Sequence, residues 1–229
     1  MYPRRRRMVR QALRLGLLVT IVVLALSACN GGEKQQEFKP QLLPEDQQQL
    51  RPGVYRSEEF KPSLSFRVGA GWSNDPPEAS DALFIRHGET REIGFVNASE
   101  VYKPTRTGTG NVVDAPEDMV GWFQQHPHLK TSKPEPVTVG GVKGVQFDVV
   151  VEDLPEDYSG VCGSACVGLF RLSTGFRVSL FEGDKVRLIV LDDVKGETVT
   201  IGFVSLATEF DEFAPEAQKV IDTVEWRDT

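Results

Sequence analysis

Two runs, Val186-Arg187-Leu188-Ile189-Val190-Leu191 and Val199-Thr200-Ile201-Gly202-Phe203-Val204, are apolar on both of the faces that a strand presents. Strands of this kind need cover on two sides, so they belong at the centre of a layered sheet. The segment between them, Asp192 to Glu197, is built from turn formers and predicts a hairpin. Three other runs alternate apolar and polar residues: Leu64/Phe66/Val68, Val145/Phe147/Val149/Val151 and Phe176/Val178/Leu180. They read as half-buried strands.

Helical spacing occurs twice. Residues 115–125 carry Asp114 as a candidate N-cap, Met119, Val120 and Phe123 on one side, and Pro127 as a stop. Phe213, Ala217, Val220, Ile221 and Val224 make a stronger apolar stripe, with Pro215 expected in the first turn. The order of elements predicts an α+β fold, a single antiparallel β-sheet flanked by helices, over residues 54–229.

The N-terminal segment, residues 1–28, reads as an export signal. Six arginines (Arg4, Arg5, Arg6, Arg7, Arg10 and Arg14) precede an apolar run from Leu15 to Leu26. A run of that length falls short of the roughly 20 residues that cross a bilayer as a helix. Leu26-Ser27-Ala28-Cys29 matches a bacterial lipobox, whose cysteine is acylated and becomes the new N-terminus. Cys29 is therefore the expected lipidation site and the membrane the expected anchor, on the extracytoplasmic face. Residues 29–53, rich in Gln, Pro and charge, read as a tether.

Loss of residues 1–28 takes six of 26 basic residues and none of the 33 acidic ones, leaving 20 against 33 and a net charge of −13. That balance argues against nucleic acid as a partner, since such binding neutralises phosphates with Lys and Arg. Of the three cysteines, Cys29 takes the lipid, and Cys162 and Cys166 are left to form a disulfide in an oxidising compartment.

The strand and turn Leu64 to Trp72, the run Pro136 to Val149 and the closing Phe210 to Trp226 resemble exported bacterial domains of the PsbP-like α/β/α sandwich class, many of them lipoproteins. The resemblance covers about residues 54–227 and implies a module that docks on other proteins of the cell envelope and catalyses nothing. It carries no functional residue onto a specific position.

Three places in the sequence carry candidate chemistry. Arg86-His87-Gly88-Glu89-Thr90 resembles the phosphate-binding opening of histidine phosphatases. That chemistry needs a second histidine in a Ser/Thr-His-Gly turn and a further arginine to grip the phosphoryl group, and the segment after Thr90 reads as a strand where the family has a helix. Gly88 is then expected in a hairpin turn. His126 and His128, with Cys162 and Cys166, supply the ligand types of a tetrahedral zinc site, but oxidation would remove both thiolates. A metal-binding or hydrolytic envelope protein using His87 or His126/His128 is the alternative function. Cys162-Gly163-Ser164-Ala165-Cys166 lacks the spacing of papain-like proteases and has no histidine after it. No cofactor is expected. Trp72, Trp122 and Trp226 are expected in or beside the core.

Overall fold

A computed structural model describes residues 39–76, 78–106, 108–152 and 154–228. Four of the five sequence runs read as strands fall wholly in a strand; of the fifth, Val178 and Leu180 do and Phe176 does not. The first part of the chain forms β1 (Gln41–Leu42), β2 (Gly53–Arg56), β3 (Leu64–Val68) and β4 (Trp72–Asn74). Next come β5 (Ala82–His87), β6 (Glu92–Val96), β7 (Glu100–Pro104), β8 (Thr109–Asp114) and α1 (Met119–Gln124). β9 (Leu129–Thr131), β10 (Glu135–Val139), β11 (Val142–Val151), β12 (Cys166–Arg171) and β13 (Arg177–Phe181) follow. The chain closes with β14 (Asp184–Val194), β15 (Glu197–Leu206), α2 (Phe210–Ile221) and β16 (Glu225–Trp226).

The expected hairpin is β14–β15. Val194 pairs with Glu197 around the two-residue turn Lys195-Gly196, and a bulge follows between Leu191 and Val194. This pair lies at the centre of an eight-stranded sheet in the order β10-β11-β14-β15-β6-β5-β4, with β9 added on β11. Its alternating residues feed two cores. Ile189, Leu191, Ile201, Phe203 and Phe95 face one, and Val186, Leu188, Val190, Phe147 and Val149 face the other.

The single sheet flanked by helices is corrected here: the described residues form three sheets and two helices, and the fold is mostly β. Both faces of the central sheet are covered, largely by other strands. On one side lie α2 and the sheet β1-β2-β3-β16, and on the other α1 and the sheet β13-β12-β7-β8. The reason is length. With 6 residues, α1 spans only about 9 Å and cannot roof a sheet face, so β12, which is buried along most of its length, and its neighbours do so.

Local details also differ from expectation. α1 starts later than residue 115, capped by Asp118, whose carboxylate accepts the Gly121 N–H at 2.7 Å. α2 starts earlier, so exposed Pro215 falls in its second turn. Burial of Phe210, Phe213, Ala217, Val220 and Ile221 offsets the lost backbone bond, a cost of about 3 kcal/mol. Ordered packing reaches into residues read as tether: β1 pairs in parallel with β2, and Leu50 is buried. The Asn74 carboxamide further binds this segment, donating to the Pro44 and Asp46 carbonyls at 2.7 and 2.9 Å. The signal segment and Cys29 lie outside the described residues.

Candidate functional site

The β5–β6 hairpin carries the Arg86 to Thr90 motif, and its backbone explains why no helix follows. Gly88 takes φ 81°, a left-handed conformation that glycine adopts without a Cβ clash, and the His87 N–H donates to the Arg91 carbonyl at 2.8 Å. The His87 ring packs against Trp72 and Phe213, with centroids 5.1 and 6.4 Å away. The polar groups after it are held by acids at the start of α2: the Thr90 hydroxyl and Arg91 Nε both reach Glu209, the N-cap residue, at 3.1 Å, and a second Arg91 nitrogen reaches Glu212 at 3.3 Å. Carboxylates thus occupy the groups that a phosphate would need.

The other side of the same hairpin borders a cleft of about 740 Å³. Phe84, Arg86, Glu92 and Val204 form its wall on the central sheet, and Arg177, Val178, Ser179 and Phe181 of β13 form the wall opposite. Val161 and Cys162 close one side. They belong to the loop stapled by the Cys162–Cys166 disulfide, with Cα atoms 6.4 Å apart, and Arg177 donates to the Val161 carbonyl at 2.7 Å. Two motifs far apart in the sequence therefore meet at one cleft.

Arg86 lies between two acids, with Nε 2.9 Å from Asp75 and 3.1 Å from Glu92. Burial pushes the Glu92 carboxyl up to about 7; Arg86 opposes the shift and Asp75 adds to it. Asp184 is also pushed up by burial, although its carboxylate accepts the Phe181 N–H at 3.0 Å. The cleft has apolar features of its own. Phe176 is 59% exposed with its ring 6.0 Å from that of Phe84, and Phe181 is 46% exposed. With its arginines engaged by acids or a carbonyl, the cleft offers aromatic surface, a strand edge and internally balanced charge.

His126 and His128 lie elsewhere, beside the core under α1. Both are buried, with ring centroids 6.3 Å apart. Tight packing determines their role: the His126 ring meets Trp122 edge-on, the His128 ring meets Tyr158, and His128 Nε2 lies 3.0 Å from the Thr105 carbonyl. His126 Nδ1 accepts the His128 N–H at 3.3 Å, and burial, then His128, pulls its pKa down to about 4. Among the described residues no three His, Cys, Asp or Glu side chains are grouped to hold a metal, and both cysteine sulfurs of the zinc reading are in the disulfide. As expected, Trp72 is buried, and Trp226, partly buried, donates from Nε1 to the Val139 carbonyl at 3.1 Å.

Of the residues lining this cleft, Arg86, Glu89, Thr90 and Cys162 stand in motifs visible in the sequence, whereas Phe84, Phe176, Phe181 and Glu92 carry no such signal. Alternation places Phe176 on the apolar face of its strand. In the structure it belongs to the turn before β13, outside that alternation.

No family model and no curated protein sequence matches the chain. Solved structures similar to it include the following two. One is the solution structure of cyanobacterial PsbP (CyanoP) from Synechocystis sp. PCC 6803, at 11% identity and a TM-score of 0.37, covering 78% of this chain and 95% of that one. The other is the crystal structure of LpqN, involved in cell envelope biogenesis of Mycobacterium tuberculosis, at 10% identity and a TM-score of 0.30, covering 79% and 90%. The first bears the name of the class that the sequence resembles.

Proposed function

We propose that this chain is an exported lipoprotein, held at the extracytoplasmic face of the membrane by acyl chains on Cys29. Its domain binds a partner in the cell envelope through the cleft beside β13 and catalyses no reaction. The cleft carries this reading, because it places exposed aromatic side chains beside a strand edge in a concave surface whose charges are already balanced. Such a surface gains by excluding water from Phe176 and Phe181, as the anchors of protein interfaces do. The lipobox supports the address, and two acyl chains suffice for stable attachment.

Chemical crosslinking in intact cells tests the reading. A wild-type adduct should disappear from the Phe176→Asp/Phe181→Asp variant and persist in Leu42→Asp, whose exposed side chain lies on β1. An adduct that survives in the cleft variant would overturn it.

A further inference from the structure

The cleft has one wall that is a strand end-member. β13 pairs with β12 on one side, and nothing among the described residues pairs with its other side. No residue of β12 lines the cleft, so the cleft lies on the free side of β13. The direction of the backbone groups follows from the turn before it. The Leu172 N–H donates to the Phe176 carbonyl. With the two-residue period of a strand, Phe176, Val178 and Leu180 turn their peptide groups to β12, while Arg177, Ser179 and Phe181 turn theirs away. The Phe181 N–H obeys this rule, since it is met by the Asp184 carboxylate and not by β12. Arg177 and Ser179 are left with outward N–H and C=O groups along the cleft.

Proteins commonly blunt such an edge with lysine, proline or a covering element. β13 reads Arg-Val-Ser-Leu-Phe, without proline, and its one charged residue, Arg177, is drawn aside to the Val161 carbonyl. A strand added beside it takes about 160 Å³ per residue, from a rise of roughly 3.3 Å, a spacing of roughly 4.8 Å and a sheet thickness of roughly 10 Å. The volume of about 740 Å³ therefore holds about five residues, the length of β13 itself. A second folded domain would not enter a space of that volume, but an extended peptide does.

Building on the proposed docking role of the cleft, we propose that its occupant is an extended segment of a partner protein, which adds to β13 as a further strand. Main-chain hydrogen bonds to Arg177 and Ser179 hold it, and alternate apolar side chains meet Phe84 and Phe176. Intervening residues face the rim, where solvent accommodates polar side chains.

The test is residue-resolved amide exchange of the full chain in detergent, with heptapeptides carrying Val, Leu or Phe at alternate positions and Thr or Lys between them, at 1 mM. At least one peptide should slow exchange of the Arg177 and Ser179 amides by about fivefold or more. The same peptide, N-methylated at alternate residues, should not. Ser179→Pro removes one outward N–H, a change that an edge strand tolerates, and should abolish the protection while the melting temperature stays within about 3 °C. If that variant unfolds, the N-methylated peptide decides alone. Unchanged exchange with every peptide, or equal protection by the N-methylated one, overturns strand addition. The crosslinking outcome at the cleft would be unaffected by that failure.

Discussion

Two ionisable groups, partly buried Glu92 and buried His126, act on stability in opposite directions. Glu92 has its carboxyl raised from 4.5 to about 7, so between those values the folded state holds a proton that the unfolded state has released, and stability falls as pH rises. His126 is lowered from 6.5 to about 4, so over that range the unfolded state holds the extra proton and stability rises with pH. In the wild type the two slopes offset each other between about pH 4.5 and 6.5. Substitution separates them. His126→Gln should leave stability falling from pH 4.5 to 7, and Glu92→Gln should leave it rising from pH 4 to 6.5, each by about 2 kcal/mol across its window. Urea unfolding at half-unit pH steps measures both. Parallel curves for the two variants would mean that neither group is perturbed as described. The Glu92 magnitude is kept below the full pKa difference because its side chain is 26% exposed beside Arg86.

At the scale of elements, the strands were legible where their pattern was strong. β3, β11, β14 and β15 were readable because apolar residues either alternate or fill both faces, and the helical stripe of α2 was readable from its spacing. Pairing was not. Nothing in the local sequence of β7, β8, β12 and β13 says that they form a separate sheet, because that depends on the register chosen by distant partners. Gly144 shows the limit at one residue. Close in sequence to the positive-φ pair Gly140-Gly141, it nonetheless lies inside β11, where a Cβ would come within 2.6 Å of the Leu191 side chain and closer still to the Val190 carbonyl. Gly144→Ala should therefore force β11 from β14 and cost about 2 kcal/mol or more, against about zero for an alanine at a tolerant strand position. An unchanged unfolding midpoint would contradict this close approach. The candidate site was half legible for the same reason: the hairpin motif and the stapled loop were each visible, but their meeting at β13 is a tertiary event.

For the whole molecule, the proposed function joins a lipid-anchored N-terminus to a domain whose layers leave one strand edge beside a cleft. The anchor is tested by fractionation. Cys29→Ala should move the protein from the membrane to the soluble fraction or arrest it as the unprocessed precursor, and a mature protein that stays firmly attached would contradict lipid anchoring. The domain is expected to fold in either case, because both cores lie within residues 50–224. The most direct test of the docking role is site-specific photocrosslinking in intact cells, with a photoreactive side chain at Phe176 in the cleft or at Leu42 on the opposite layer. The account predicts a discrete adduct with another envelope protein from position 176 and none from position 42. Equal labelling from the two positions, or from position 42 alone, would contradict it.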